Sequence, residues 1–277
     1  AKYAVSAVER YLSCPFKYFA SVVLRLGEEP DDELTMSPRT RGRFVHEVLR
    51  AFFDRWQRAG GGDIDVEHLS QARTLAREVA EERLAELPAR DRPVERIWLL
   101  GSPAGMGVID RLLSLEAERP GGVLDRLLEH RFDGNFQLKG VDGRRTVRLR
   151  GIADRIDLLE GNRVRVIDYK TGRVPGRGRA LQLPVYGRCA EQELAGTDGR
   201  AWTIDSAAYV AFGEARPWVS LERNQQIGEA VAEGEKRFLE AVDGIERGQF
   251  LVRPAQPHLC VYCEYPTVCR KDYVGDD

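Results

Sequence analysis

The segment 163–170 places a carboxylate and an ammonium at the end of an apolar strand. It reads RVRVIDYK, and its alternating β-branched and polar residues predict a β-strand whose successive side chains point to opposite faces. Asp168 and Lys170 therefore share the face of the apolar residue Val166. Burying such a pair costs free energy unless a metal ion, a ligand or the partner charge satisfies each group. An ordinary charged strand end is the competing interpretation.

A second predicted strand, residues 145–159, brings further carboxylates toward Asp168. Asp154 and Asp157 are three residues apart, so they point to opposite faces and one of them at most can join Asp168. Gly161-Asn162 indicates a β-hairpin turn between the two strands. A three-residue loop would place Asp154 opposite Asp168, whereas a two-residue loop would turn Asp157 to that face. The residues alone leave this register open.

Four of the five cysteines lie near the two ends of the chain. Cys260, Cys263 and Cys269 form C-x2-C-x5-C, and Cys14 stands near the start. The C-x2-C spacing allows two thiolates to share one metal centre, and Cys14 is the natural fourth ligand. Disulfides are the competing interpretation, although a chain inside the cell would not normally keep them. Zinc and an iron–sulfur cluster both accept four thiolates, so the spacing does not choose between these metals.

Four short motifs in a fixed order make this sequence resemble the RecB/AddB branch of the PD-(D/E)XK nuclease superfamily. They are Gly42-x-x-x-His46, Gly151-Ile152-Ala153-Asp154, Asp168-Tyr169-Lys170 and Gln182-x-x-x-Tyr186. The resemblance extends over nearly the whole chain and implies a divalent-metal site with four ligands: His46, Asp154, Asp168 and the main-chain carbonyl of Tyr169. It also favours the three-residue loop. Without the resemblance, His46 and Tyr186 would be interpreted as core residues.

The implied chemistry is hydrolysis of a DNA phosphodiester bond. Such ligands suit Mg²⁺ or Mn²⁺, because hard cations prefer oxygen and keep positions for water and for a phosphate oxygen. Asp154, Asp168 and Lys170 would form the catalytic centre, with Lys170 orienting the water or neutralising charge on the phosphate. The resemblance places Gln182 and Tyr186 beside this centre, where they contact the DNA backbone or hold Lys170. The number of metal ions stays open.

The resemblance also assigns the cysteines. One cysteine upstream of the nuclease motifs and three downstream is the arrangement of AddB-type and CRISPR-adaptation nucleases that carry a 4Fe–4S cluster. It implies a structural cluster, joining residue 14 to 260–269, on four ligands: Cys14, Cys260, Cys263 and Cys269. Closing so long a loop restricts the unfolded chain, so the cluster should stabilise the fold. Cys189 is expected to be a small buried thiol.

Helices and further strands should position these groups. Ser6-Ala7-Val8-Glu9 is a capping box that predicts a first helix, interrupted at Pro15. Ser37-Pro38 predicts the start of a second helix that ends at Gly60.

The rest of the chain predicts an α/β fold with a central mixed β-sheet flanked by helices. Hydrophobic periodicity predicts a helical insertion over about 60–130, with helices at 68–87 and 108–130 and loops around 88–107. The later elements are predicted as a helix starting near residue 180, strands at 203–212 and 217–222, and a closing helix at 226–247.

The length of the chain fits one large domain or two small ones, and the resemblance implies a single nuclease domain, residues 1–277. The 277 residues are 43% hydrophobic, which is enough for a core, and no apolar run approaches the roughly 20 residues of a membrane helix. We therefore expect a cytoplasmic protein without a membrane partner. The net charge of -2 attracts no nucleic acid by itself, so binding must depend on local charge. Residues 163–179 are basic, whereas 28–33 are acidic.

The implied partners are DNA, single-stranded or at an unwound end, and a helicase. The chain carries no GxxxxGK[ST] motor motif, so the helicase would be a separate subunit or a covalently attached domain of a longer polypeptide. The resemblance implies an exonuclease or end-resection module in recombination and repair. A stand-alone CRISPR-adaptation-type nuclease and a nuclease-dead, zinc-stabilised DNA-binding module are the alternatives.

Overall fold

A mixed six-stranded sheet lies at the centre of the protein. The computed structural model describes residues 1–27, 36–222, 225–261 and 263–271, so the acidic run at 28–33 lies outside the described residues. Numbered along the chain, the strands are β1 (Lys2–Ala4), β2 (Gly101–Ser102), β3 (Gly105–Met106), β4 (Val123–Gly140), β5 (Gly143–Leu159), β6 (Arg163–Lys170), β7 (Thr203–Ala211) and β8 (Trp218–Ser220). The α-helices are α1 (Val5–Ser13), α2 (Pro15–Tyr18), α3 (Pro38–Arg58), α4 (Leu69–Glu86), α5 (Arg92–Leu100), α6 (Val108–Ala117), α7 (Gln182–Asp198) and α8 (Ile227–Glu246).

Strand β5 organises the sheet because it pairs along both edges. One edge lies antiparallel to β4, while the other pairs in parallel with β1 at 148–150 and antiparallel with β6 at 155–159. The order continues through β7, parallel to β6, to β8, antiparallel to β7. The predicted central mixed sheet is therefore confirmed.

Helices cover both faces of this sheet, and each face has its own hydrophobic core. Helices α1, α7 and α8 bury residues such as Val8 and Phe238 in what we call the α7-side core. Helices α3, α4, α5 and α6 bury residues such as Phe52 and Leu112 in the α3-side core. Burial of each large apolar side chain contributes about 1.5–3 kcal/mol. None of the described helices combines the length and apolar composition that crossing a bilayer requires.

Helix α3 forms as predicted. The backbone N–H of Thr40 donates to Ser37 Oγ at 3.2 Å, and Pro38 occupies the first turn, where its missing N–H costs nothing. The helix ends at Arg58, and Gly60 follows with a φ of 82°. Its apolar stripe is buried in the α3-side core and consists of Phe44, Val45, Val48, Leu49, Phe52, Phe53 and Trp56.

The predicted capping box at the start of α1 is wrong. The helix begins at Val5 with Ala4 as its N-cap, and no side chain caps it. Glu9 instead accepts hydrogen bonds from the backbone N–H groups of Leu181 and Gln182, at 2.7 and 3.0 Å, at the start of α7. The Glu9 carboxylate is therefore bound by residues distant in sequence and does not cap α1. The break at Pro15 is confirmed, since α1 ends at Ser13 and α2 begins at Pro15.

The predicted helical insertion differs from the structure at both 88–107 and 108–130. Helix α5 occupies part of the predicted loop, and α6 ends at Ala117, so residues 123–130 belong to β4. Gly122, with a φ of 68°, turns the chain after α6. The Asp63 carboxylate accepts the backbone N–H groups of Gly121, Gly122 and Val123 and fixes that turn. Pairing with β5 then outweighs the helical periodicity.

Most remaining elements match their predictions. Strand β7 covers 203–211, β8 covers 218–220 and α8 covers 227–246, each within the predicted ranges. Helix α7 starts at Gln182, close to the predicted residue 180.

Candidate active site

The β5–β6 hairpin has the register that places two carboxylates side by side. Arg155 pairs with Ile167 and Leu159 pairs with Arg163, so the loop holds three residues. The three-residue loop is therefore confirmed, and in this register Asp154 lies opposite Asp168. Oδ2 of Asp154 accepts the backbone N–H of Tyr169 at 2.8 Å.

Asp157 turns to the other face, where it joins a buried charge network. Arg155 is fully buried and donates to Asp157 at 2.5 and 2.8 Å and to Glu116 on α6 at 2.9 Å through each terminal nitrogen. Arg165 also donates to Asp157, at 2.8 Å. Arg155 also donates to the Tyr169 hydroxyl at 3.3 Å. This bond holds the Tyr169 side chain in the buried charge network.

Helix α3 places His46 next to Asp154 and the Tyr169 carbonyl. His46 Nε2 lies 3.0 Å from the Tyr169 carbonyl oxygen, and Nδ1 lies 3.4 Å from Asp154 Oδ1. Burial by itself would lower the pKa of His46, but Asp154, then Asp168 and the Tyr169 carbonyl outweigh burial and raise it to about 9. A cation is therefore favoured between these groups, whether it is a proton on the imidazole or a metal ion.

Asp168 and Lys170 form an ion pair at the end of β6. Asp168 is 4% exposed, and burial followed by the Asp154 carboxylate raises its pKa to about 7, although Lys170 opposes this rise. Asp168 Oδ1 is the oxygen that contacts the Lys170 ammonium. A buried carboxylate that keeps a positive partner suits a site that binds a cation. Lys170 Nζ also donates to Gln182 Oε1 at 3.0 Å, so Gln182 holds the ammonium.

Tyr186 packs against β5, next to the strand residues that are candidate metal ligands. Its ring stacks on Phe132 with centroids 5.5 Å apart. A Cβ at Gly151 would lie 2.4 Å from that ring, so the glycine of the Gly151–Asp154 motif allows Tyr186 to pack there. Burial raises the Tyr186 pKa, and its hydroxyl hydrogen-bonds the backbone of Ile152. Cys189, on the same helix, is buried as expected.

Glu129 on β4 also reaches this point, and the sequence interpretation missed it. Its neighbours in the strand pair in a register that places Glu129 opposite Asp154, and its Oε1 lies 3.8 Å from His46 Nδ1. Ligand atoms of Glu129, His46 and Asp154 all lie within 4.8 Å of one another. Burial raises the pKa of Glu129, the Asp154 carboxylate adds to this rise, and His46 opposes it. The donor set thus fits a hard divalent cation.

A cleft of about 890 Å³ opens above these residues, between α3, β4 and the end of β6. Its basic lining comprises Arg39, Arg43, Arg50, Arg131, Lys170 and Arg173. The basic segment 163–179 does not act as one surface, because Arg165 is buried against Asp157 and Arg163 pairs with Asp205 at 2.6 Å.

The C-terminal segment brings three cysteines toward Cys14. Ala255 N donates to Ser13 O at 2.9 Å, and Lys17 pairs with Glu264 at 2.5 Å. Burial raises the pKa of the Cys269 thiol, and the thiols of Cys14, Cys263 and Cys260 raise it further.

Part of this chain is similar to a known protein. In the curated set, one subunit of an ATP-dependent helicase/deoxyribonuclease from Symbiobacterium thermophilum is 33% identical over 213 residues, which is 66% of this chain and 17% of that protein. The chain therefore spans less than a fifth of that relative.

Two solved structures are also similar. The crystal structure of SSO0001 has a TM-score of 0.36 and 13% identity and covers 97% of this chain and 85% of its own. An exonuclease candidate from Eubacterium rectale has a TM-score of 0.43 and 11% identity and covers 97% of this chain and 89% of its own.

The family model described as the PD-(D/E)XK nuclease superfamily matches residues 2–270. That match includes every residue of the site and all four end cysteines, and the chain therefore belongs to the PD-(D/E)XK nuclease superfamily.

Proposed function

We propose that this chain is a divalent-metal-dependent deoxyribonuclease that acts as an exonuclease or end-resection module. The observation that carries the proposal is the strand register that sets Asp154 opposite Asp168, with His46 Nδ1 3.4 Å from Asp154, beside a basic cleft that His46, Tyr169 and Lys170 line. Lys170 faces the same point from the end of β6. The positive lining attracts a phosphodiester, while the carboxylates retain a cation beside it.

The metal ligands in this proposal are His46, Asp154, Asp168 and the Tyr169 carbonyl. Glu129 is a further candidate because its carboxylate lies within 4.8 Å of ligand atoms of both His46 and Asp154. When bound, Mg²⁺ or Mn²⁺ supplies a more acidic water and neutralises charge on the phosphate.

Lys170 would stabilise the negative charge that develops on the phosphate during attack. Its position depends on Gln182, which accepts a hydrogen bond from Nζ, and on Glu9, which holds the first turn of α7. Tyr186 would support Asp154 indirectly, by packing against the strand three residues upstream at Gly151.

We further propose that Cys14, Cys260, Cys263 and Cys269 hold a 4Fe–4S cluster that stabilises the fold. Two observations support this: the C-terminal segment contacts Ser13 and Lys17 on either side of Cys14, and the thiols of Cys14, Cys260 and Cys263 interact with that of Cys269. The cluster would tie the C-terminal segment to α1 and α2 and so close residues 1–277 into one domain.

The proposed partners are a DNA end and a helicase, in the cytoplasm, with a role in recombination and repair. One curated relative is a helicase/deoxyribonuclease subunit, and this chain spans 17% of its length. The motor would accordingly be a separate subunit or the remainder of a longer polypeptide.

The test is a nuclease assay on end-labelled DNA with Mg²⁺, Mn²⁺ or EDTA. Asp168→Ala and Lys170→Ala should each reduce cleavage by at least about 100-fold, whereas Asp205→Asn, an exposed carboxylate outside the cleft, should not. Cleavage that persists in EDTA, or Asp168→Ala with wild-type activity, would contradict the proposal. A wild-type protein that binds DNA without cutting it would instead indicate a nuclease-dead module.

A further inference from the structure

In the outer half of the β4–β5 hairpin, none of the described elements covers one face of the sheet. Its buried residues, such as Phe136 and Leu149, point into the α7-side core, and the alternating residues of both strands point away from it. We call this second surface the outer hairpin face. It consists of the odd-numbered residues 131–139 of β4, the even-numbered residues 144–152 of β5, and Lys2 of the adjoining strand β1.

The outer hairpin face is strongly basic in a chain whose net charge is -2. Its basic side chains are Lys2, Arg131, Lys139, Arg144, Arg148 and Arg150. Within the described part of the chain, Asp133 is the one acidic member of this face, and Lys2 neutralises it at 2.5 Å. Positive charge therefore remains along the whole hairpin.

Among the described residues, the arginines of this face have no hydrogen-bonded or ion-paired partner, although the Asp133 carboxylate interacts with Arg148 and Arg150 through space. Across the described ranges, no side-chain hydrogen bond or ion pair is formed by Arg131, Arg144, Arg148 or Arg150. Arg145 offers the contrast: it lies between these residues on the opposite face of β5 and pairs with Asp243 and Glu246 of α8. The unpaired guanidinium groups are thus free to bind an anionic ligand.

This face continues directly from the active-site cleft. Arg131 lines the cleft together with His46 and Glu129, and it also lines a second depression that contains Arg150 and Gln182. The two depressions therefore meet at Arg131. An extended polyanion with one end in the cleft has a mainly basic surface along which to lie, on which Asp133 is paired with Lys2.

We propose that the outer hairpin face binds the phosphate backbone of the DNA strand whose end lies in the cleft. This inference rests on the proposed nuclease function and extends it to the path of the substrate. Side chains on one face of a strand repeat about every 7 Å, so Arg148 and Arg150 would contact neighbouring phosphates. Neutral hydrogen-bonding residues, Asn135, Gln137 and Thr146, lie between the charges and suit phosphate oxygens.

A nucleic acid fits this face better than a protein does. Protein interfaces centre on apolar and aromatic side chains, whereas Ile152 is the one large apolar residue among the described members of this face. Backbone contacts by unpaired arginines are instead typical of sequence-independent DNA binding.

The test compares Arg148→Gln/Arg150→Gln with the wild-type chain. As a matched control, Arg83→Gln/Arg96→Gln removes the same charge from exposed ion pairs on α4 and α5. Binding of a fluorescent 20-nucleotide single strand is measured by anisotropy in EDTA at several salt concentrations. Cleavage of that strand and of a tetranucleotide, too short to leave the cleft, is measured with Mg²⁺. Melting temperatures verify that each variant folds, and Arg148→Lys/Arg150→Lys should retain binding.

We expect the double glutamine variant to bind the 20-nucleotide strand roughly tenfold more weakly. Its log–log salt dependence should become shallower by about 1.4, because two phosphate contacts are lost. The tetranucleotide should be cleaved at the wild-type rate. Unchanged affinity and salt dependence, or an equal loss in the control variant, would overturn the inference. A wild-type chain that cleaves neither substrate would contradict the proposed function, while the binding comparison would still decide the DNA path.

Discussion

Replacing Gly151 by alanine tests how the nuclease motif positions Asp154. A Cβ at residue 151 would lie 2.4 Å from Cε1 of Tyr186 and 2.6 Å from its hydroxyl oxygen, whereas ordinary contact begins at 3.4 Å. The Tyr186 ring cannot move freely, because it is buried and stacked on Phe132. Either the ring or β5 must therefore shift by about 1 Å.

The size of the effect follows from where that shift occurs. Overpacking of this kind costs about 1–3 kcal/mol of folding free energy. Asp154 lies three residues along the same strand, and a displacement of about 1 Å at a catalytic group can reduce the rate on the order of 100-fold. Gly151→Ala should therefore lose much more activity than stability.

Urea unfolding and an end-labelled nuclease assay measure the two effects separately. Gly134→Ala is the matched control, because it lies in the same hairpin and its added Cβ would meet Phe136 at an ordinary 3.6 Å. Adding Tyr186→Leu to Gly151→Ala should restore part of the activity by removing the crowded ring. If Gly151→Ala matched Gly134→Ala in both assays, the packing explanation for this glycine would fail.

Three further predictions concern other parts of the molecule. Asp157→Asn should destabilise the fold by about 3–5 kcal/mol, measured by urea unfolding, because it leaves buried arginines unpaired. Burial alone would raise the pKa of Asp157, but Arg155 and Arg165 outweigh it and lower it from 3.8 to about 2. The stability from this lowered pKa is present above about pH 4 and lost toward pH 2, and Asp157→Asn should lack that loss. Glu129→Gln should weaken Mn²⁺ binding in calorimetry by roughly tenfold while the fold persists; equal affinity would exclude Glu129 as a ligand. Cys14→Ala should lose the visible absorbance of the purified protein together with thermal stability, and a colourless wild-type protein that contains zinc would contradict the cluster assignment.

The hairpin and its carboxylates could be predicted because their signals are local. The alternation in 163–170 separates Val166 and Asp168 from Ile167 and Tyr169, and the structure places Val166 in the α7-side core and Ile167 in the α3-side core. The register of the β5–β6 hairpin could not be predicted from the residues alone, since they allowed two loop lengths. The family resemblance selected the three-residue loop, which the strand pairing confirms.

Glu129 could not be predicted because its role depends on pairing that is distant in sequence. Residues 123–130 fit a helical pattern as well as a strand, and contact with β5 decides between them. Its backbone has a φ of 47°, which glutamate seldom adopts. The partner of Glu9 was inaccessible for the same reason, because the N–H groups that it accepts lie more than 170 residues away.

The position of the site follows from a change of face within the β4–β5 hairpin. Phe132 is buried in the α7-side core, whereas Leu128, an even number of residues away on the same strand, packs against the α3-side core. On β5, Ala153 and Ile156 are both in the α7-side core although an odd number of residues separates them. Both strands therefore exchange their buried and exposed faces near the Glu129–Asp154 pair.

This exchange of faces explains why the candidate metal site and the proposed DNA path lie next to each other. On one side of the switch, α3 covers the sheet and supplies His46, while on the other side no described helix covers the outer hairpin face. The positive φ of Glu129 lies at the switch itself. If the side chains of β4 and β5 alternated regularly throughout, only one of the two surfaces, the face covered by α3 or the outer hairpin face, would adjoin the cleft. The same irregularity in β4 and β5 thus brings the carboxylates together and places the outer hairpin face next to them.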